Sequence, residues 1–533
     1  MQSGLRRFTT AATAALMVTM SGAFTANAQD VTLRANDGSV TMQGRILEFA
    51  DGFYRFETEL GVLRLSASRM ICEGEACPQV ADVDADLIIR GSDTVGEGVM
   101  PLLVAGYASS LGAEADVQNG PSEGTTVATL IGDEGFGDEI GTYLVASTTS
   151  GDGFEGLLNN ESSIGMASRR IRPAEARALR AEGGGNMVSV DQERIVAVDP
   201  LVTIVNPANS ITNLSIEDLR GIFAGEIQNW SEVGGNDAPI TVLRRSESSG
   251  TGAVFISRAL GGGDIRSEAI VVGSHNEMAA MVNDDPNAIG FVGFSFQRGA
   301  QPVSLTLQCG ILAEATSFGS KTEEYPLARR LYLYARADGL NEQVREFLDY
   351  ATSAEADGAI AKAGFINLGI SRLTGEVSEA KVQSMMGSAT DAYERNFATS
   401  LVDERVTWDR LSSTFRFASG SSRLDERGRA DLDRLVEYLG TQPAGTEVAV
   451  VGFTDSDGAF DGNNALSVQR ANQLAEELQS AGRGSLNNVN VVTKGYGELA
   501  PASCNDTAAG KRINRRVEIW IRGGAEGGVA SNG

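Results

Sequence analysis

Two stretches of this 533-residue chain have the residue types of anion-binding loops. Arg90-Gly91-Ser92-Asp93-Thr94-Val95 follows the apolar run Leu87-Ile88-Ile89 and precedes a helical pattern through Met100 to Tyr107. Arg245-Ser246-Glu247-Ser248-Ser249-Gly250-Thr251-Gly252 occupies the same kind of junction further on. At a helix start the backbone N–H groups lack intrahelical acceptors, so together with nearby hydroxyls they can converge on an oxyanion. Taken singly, either loop is better explained by plain helix capping. A third cluster, Asp455, Asp457 and Asp461 followed by Arg470, could be a structural ion pair or a calcium-type loop. One histidine, His275, lies in a plain polar stretch, which excludes a His-rich metal site and argues against a Ser-His-Asp triad.

The elements that must position these groups fall into successive blocks. From 29 to 80 short runs alternate at period two (Val31 and Leu33, Val40 and Met42, Tyr54 and Phe56, Leu63 and Leu65), which predicts a small all-β domain. From 84 to 370 strand and helix patterns alternate, as in an α/β domain, with apolar runs at Val196 to Val205 and Ile289 to Val292. Residues 371–413 are polar and read as a partly helical connector. From 414 to 523 the pattern alternates again: Leu432, Leu435, Val436 and Leu439 mark an amphipathic helix and Val448 to Val451 a strand. Leu466, Arg470, Leu474 and Leu478 mark a second helix, and Val517 to Ile521 a closing strand. The Gly- and Ala-rich residues 524–533 read as a disordered tail.

The first 28 residues have the layout of a secretory signal peptide: Arg6 and Arg7, an apolar stretch from Ala11 to Phe24, and Ala26-Asn27-Ala28 before a mature start at Gln29. The formal charge is −26, which argues against nucleic acid and anionic membrane surfaces as partners. Any anion must therefore be caught by local dipoles and a few arginines. Four cysteines in a secreted chain favour disulfides. Cys72 and Cys77 can close a short loop; Cys309 and Cys504 either pair across domains or remain two buried thiols.

Taken together, the two loops resemble the phosphate-binding proteins of ABC importers, which have a two-lobed type 2 periplasmic-binding fold. The likeness rests on Gly91-Ser92-Asp93-Thr94-Val95 and on Arg245 with Ser249-Gly250-Thr251. Leu219 to Gly225 with Asn229-Trp230, Ile289 to Gly293, and Tyr325-Pro326-Leu327-Ala328-Arg329 add structural support. The resemblance implies that Ser92, Thr94, Val95 (main chain), Ser168, Arg245, Ser249, Gly250 and Thr251 surround phosphate or a similar oxyanion, with Glu247 orienting Arg245. In many such proteins a carboxylate follows the serine of the Ala167-Ser168 segment and accepts the proton of hydrogen phosphate. Arg169 stands there in this chain, which leaves phosphate versus sulfate open.

The C-terminal motifs resemble the OmpA-like peptidoglycan-binding family: Gly452-Phe453-Thr454-Asp455-Ser456-Asp457-Gly458, Asn463, Leu466-Ser467, Arg470-Ala471, and Asn514-Arg515-Arg516-Val517-Glu518-Ile519. Diaminopimelate in the wall peptide presents an ammonium and a carboxylate on one centre, so its site needs a fixed carboxylate and a fixed guanidinium. The resemblance assigns these to Asp455 and Arg470, with Asn463 and Arg516 in support. Phe453 departs from the family's frequent histidine.

The expectation is thus a periplasmic oxyanion-binding protein with no cofactor, tethered to peptidoglycan on the outer-membrane side. An ABC importer membrane complex is the partner implied by resemblance, and capture, transport and sensing remain open. The alternative is a wall-bound envelope protein whose binding fold has lost or changed its ligand. An enzyme ranks last, because no activated nucleophile or metal-ligand spacing is visible.

Overall fold

The computed structural model describes residues 31–35, 40–50, 53–58, 61–66, 70–74, 77, 83–122, 124–132, 137–374, 379–416 and 426–523. The expected signal peptide and C-terminal tail lie outside the described residues. Among the described residues no helix is long and apolar enough to cross a membrane. The chain divides into two compact units.

The N-terminal unit is a five-stranded antiparallel sheet in the order Gly61–Ser66, Phe53–Thr58, Thr41–Ala50, Val31–Ala35, Met70–Glu73. Side chains alternate across a strand, so Val31, Leu33, Tyr54 and Phe56 share one buried face. Cys72 and Cys77 are disulfide-bonded beside this small core.

The second unit begins with a lobe built on a seven-stranded sheet. Its central three strands, Ile164–Ala167, Leu87–Ser92 and Glu139–Thr148, run parallel, with Leu87–Ser92 in the middle. Their carboxyl ends deliver Ser168, Ser92 and, through Thr149, Ser150 to one edge. In α/β sheets that edge is where ligands collect, because helix N-termini begin there. The second lobe repeats the arrangement. Thr241–Arg244 is parallel to both Ala288–Gly293 and Ile270–Val271, and the ends of these strands supply Arg245, Gly293 and the segment leading to His275.

The chain passes between the lobes twice, at Asp199-Pro200 and at Arg329. The apolar run Val196 to Val205 is therefore two strands in different sheets, Glu193–Val198 and Leu201–Val205, divided at Pro200. Pro200 lacks an N–H and cannot extend a ladder.

The C-terminal sheet has the order Arg372–Leu373, Asp409–Arg416, Arg516–Arg522, Thr446–Gly452, Val489–Gly495. Helices Glu426–Gly440 and Phe460–Gly482 bury one face through Leu435, Leu439, Leu474 and Leu478 against Val448, Val450 and Ile519. The opposite face carries Ala449, Val451, Phe453 and Trp520, equally apolar. Met385, Ala398 and Leu401 from helices Glu379–Gly387 and Ala392–Thr407 cover it, together with Trp408. Residues 371–413 are therefore not a connector. They supply two strands and a helical layer, because a sheet apolar on both faces must be covered on both. The domain expected to begin at 414 opens, in the structure, before that boundary, with the strand Asp409–Arg416 crossing it.

Two kinds of bond join the second lobe to this C-terminal part. Cys309 and Cys504 form a disulfide. Arg410 pairs with Glu324 at 2.6 Å and with Glu518 at 3.0 Å, and Arg416 pairs with Glu323 at 3.2 Å.

Candidate functional site

The loops identified in the sequence meet across the lobes. Thr94 Oγ1 lies 3.4 Å from Thr251 Oγ1, although 157 positions separate them. Asp93 of the first lobe receives Arg245 Nη2 of the second at 2.7 Å. Gly250 stands so close to the first lobe that a Cβ there would lie 2.2 Å from Ser150 Oγ and 2.3 Å from Ser168 Oγ. Only glycine permits that approach. Gly91 has φ +138°, and a Cβ on it would lie 2.2 Å from the Met166 carbonyl oxygen, so it lets the first loop turn tightly against the neighbouring strand.

Ser92, Thr94, Val95, Ser168, Arg245, Ser249 and Thr251 are all buried. Capping does not explain the hydroxyls. Ser92 and Ser249 sit at N-cap positions of Asp93–Gly96 and Gly250–Arg258, yet neither makes a side-chain cap bond. Ser92 Oγ, Ser249 Oγ, and Arg245 Nε and Nη1 are buried without a hydrogen-bond partner. Each such group costs about 1–3 kcal/mol unless something meets it. Four donors on both lobes thus await an acceptor.

His275 explains the orientation of two more. It is buried and stacks on Phe296 at 4.6 Å. Burial, then the guanidinium groups of Arg245 and Arg329, hold it well below the usual imidazole range, so the ring is neutral near pH 7. The Gly293 N–H donates to Nδ1 at 3.2 Å, which places the ring proton on Nε2. Nε2 lies 2.8 Å from Thr94 Oγ1 and 3.2 Å from Thr251 Oγ1. Arg329 Nη1 donates to Thr251 Oγ1 at 2.7 Å. Both threonine hydroxyls therefore accept from fixed donors; the Thr251 proton can turn to an anion, whereas the Thr94 proton also has a long contact to Asp93 Oδ1 at 3.4 Å.

The first lobe contributes a serine pair. The Ser168 N–H donates to Ser150 Oγ at 3.0 Å, and the two hydroxyls are 3.3 Å apart. Arg169 turns away and forks onto Glu175 at 2.6 and 2.8 Å. Glu247, expected to orient Arg245, is exposed; Asp93 of the first lobe does so instead, together with the Gly273 carbonyl of the second lobe at 2.8 Å. Sequence reasoning missed Asp93, Ser150 and His275 as functional groups, and took Arg329 as structural only. Asp93 lies within the Gly91 to Val95 motif, which was its only signal, and no motif marked Ser150.

At the C-terminal end, Asp455 follows the strand Thr446–Gly452 and Arg470 lies on the helix Phe460–Gly482. The two are close enough for Asp455 to stabilise the charge on Arg470, whereas burial and Arg515 oppose it. The direct partner of Asp455 is Arg515, at 2.6 Å. Asn463 is buried, and its Nδ2 has no hydrogen-bond partner. Arg516 is not at this site. It bonds Glu518 at 2.7 Å and the Ala500 carbonyl at 3.0 Å, and lies 4.1 Å over the ring of Phe453. Arg516 opens the strand Arg516–Arg522 pointing inward, so its neighbour Arg515 is the one that turns to Asp455. Asp457 pairs with Lys511 at 2.7 Å, so the loop carboxylates turn to separate cations instead of converging on one ion.

Residues 81–355 match the family model described as PBP superfamily domain, and residues 416–515 match the OmpA family. The phosphate-binding protein PstS of Bacillus subtilis is 32 % identical over 199 residues, 37 % of this chain and 64 % of that protein. The peptidoglycan-associated lipoprotein of Legionella pneumophila is 36 % identical over 105 residues, 20 % of this chain and 57 % of that one. The chain thus spans less than two thirds of either relative. A solved ABC-type phosphate transport receptor from Vibrio cholerae covers 53 % of this chain and 99 % of its own at 28 % identity, with a TM-score of 0.40.

Proposed function

Because the chain belongs to the PBP superfamily and carries an OmpA family domain towards its C-terminal end, we propose that it captures phosphate between its two lobes while held to peptidoglycan. The observation that carries this reading is the set of buried donors without partners, Ser92 Oγ, Ser249 Oγ and two nitrogens of Arg245. They stand around two threonine hydroxyls whose lone pairs are already engaged by His275 and Arg329. Such a nest offers convergent hydrogen-bond donors, including a guanidinium whose charge Asp93 balances, so the anion is held chiefly by local dipoles. It suits a small, multiply charged oxyanion. The named activity of the Bacillus relative, phosphate binding, agrees with it.

The phosphate ligands in this reading are Ser92, Thr94, the Val95 main chain, Ser168, Arg245, Ser249, Gly250 and Thr251. His275, Asp93 and Arg329 hold them in orientation. At the wall site Asp455 takes the ammonium and Arg470 the carboxylate of a diaminopimelate peptide, with Arg515 steadying Asp455 and Asn463 Nδ2 supplying a donor. The protein then resides in the periplasm, and such a tether fits a local store or sensor, or delivery to an importer close to the wall. Had the fold lost its ligand, buried donors on both lobes would persist at a cost with nothing to offset it. Release of bound anion on denaturing the purified protein tests this: about one phosphate per chain is expected, and a chain that carries none and takes up none from buffer overturns it.

A further inference from the structure

A second cavity, of about 250 Å³, lies where the two lobes approach each other beside the helix Gly250–Arg258. Its lining includes Arg169 and Arg170 from the first lobe, Arg258 and Ser320 from the second, and Arg329 and Arg330 at the crossover. One carboxylate, Glu323, joins them. Five guanidinium groups around one small space invert the sign of a chain whose formal charge is −26. Arg329 has Nε and both terminal nitrogens engaged by Asp199 and Thr251, and Arg258 donates to the Ala328 carbonyl. Arg169 gives both terminal nitrogens to Glu175, yet its Nε is buried without a partner. Arg170 uses Nε on Glu193 at 2.7 Å, and Arg330 sits 3.5 Å from Glu323 and 3.6 Å from Asp431, long for ion pairs. Ser320 Oγ is buried without a partner, with the whole residue 1 % exposed.

Glu323 reports the field inside. Burial works to raise its titration, yet the guanidinium groups of Arg416, Arg330, Arg512 and Arg258 hold it well below the usual carboxylate range. Four guanidinium groups thus act on this one carboxylate.

We propose that this cavity is a second anion site, taking a phosphate-class dianion, separate from the nest at Thr94 and Thr251. Guanidinium forks match tetrahedral oxyanions bidentately, and Ser320 Oγ and Arg169 Nε supply buried donors that such an anion would satisfy. The site is linked to the first in two places. Arg329 lines this cavity and donates to Thr251, and Arg169 directly follows Ser168. It stands apart from the function proposed above, because none of the groups that would grip the first anion lines it.

Calorimetric titration of the full chain with inorganic phosphate tests the inference. Two equivalents are expected, the second weaker and more sensitive to salt. Arg170→Gln with Arg258→Gln should weaken the second at least about tenfold and leave the first, whereas Arg245→Ala should remove the first and leave the second. One equivalent in the unmodified chain that Arg245→Ala removes, or a second one indifferent to the double substitution, overturns it. A single equivalent that survives Arg245→Ala and fails in the double variant would overturn the first site instead. Crystals of the unmodified protein soaked in arsenate give a reading that needs no variant to fold: anomalous density between Arg170 and Arg258 is expected, and its absence at saturating arsenate contradicts the proposal.

Discussion

Arg329 and Asp199 occupy the two crossovers between the lobes and hold each other at 2.6 Å, with 1 % and 0 % of their side chains exposed. Arg329 Nε also bonds the Asp199 carbonyl at 3.0 Å, and the Asp199 N–H bonds the Arg329 carbonyl at 3.0 Å, so both passages are stitched together. The remaining terminal nitrogen of the same guanidinium reaches Thr251. One side chain thus ties the hinge to the anion nest.

The two roles separate by substitution. Arg329→Gln leaves Asp199 as an uncompensated buried charge and should cost roughly 3–5 kcal/mol of stability. Thr251→Val keeps the hinge pair and removes one ligand donor, so it should weaken phosphate binding by about 2 kcal/mol, roughly thirtyfold, with less loss of stability. Urea unfolding and titration on both variants check this.

The neutral His275 carries a pH dependence. Its folded value lies below the imidazole reference of 6.5, so the unfolded chain takes up its proton first as pH falls. The folded state is free of this penalty above about pH 6.5 and loses stability as pH drops from there towards the depressed folded value. Thermal unfolding without ligand should show a midpoint that falls between pH 7 and 5. His275→Gln should flatten that part of the curve.

Two arginines of the C-terminal domain, one structural and one at the candidate wall site, should behave oppositely. Arg516→Ala strands Glu518, which is buried and also held by Arg410, and should lower stability by about 3 kcal/mol. Arg470→Gln should abolish co-sedimentation with diaminopimelate-containing peptidoglycan while leaving the unfolding midpoint within about 1 kcal/mol of the parent, since it removes a charge that burial already disfavours.

The Cys309–Cys504 bridge spans 195 positions and joins the second lobe to the C-terminal domain. Closing so long a loop restricts the unfolded chain, so Cys309→Ser with Cys504→Ser should cost about 2–4 kcal/mol. Calorimetric scans should then show the C-terminal domain melting separately.

Local signals made much of this visible in advance. Gly91 to Val95 and Arg245 to Thr251 each announce a strand–loop–helix junction within a few residues, and Asp455 with Arg470 follow a recurrent motif. What stayed hidden depends on contacts between distant parts. His275 lies in an ordinary polar helix start, and its role appears only when Thr94, 181 positions away, is brought to 2.8 Å. Asp93 displaced Glu247 as the Arg245 partner because closure of the lobes, not nearness in sequence, decides which carboxylate arrives. Residues 371–413 looked like a linker because their apolar residues are sparse. Their layer is required by the second apolar face of a sheet whose strands lie elsewhere in the sequence.

The most direct test of the central claim is calorimetric titration of the anion-stripped protein with phosphate, in parent and Arg245→Ala forms, with sulfate as competitor. Submillimolar or tighter phosphate binding at the nest, lost in Arg245→Ala, is the predicted result. Silence with phosphate, or binding that Arg245→Ala leaves intact, would contradict the account.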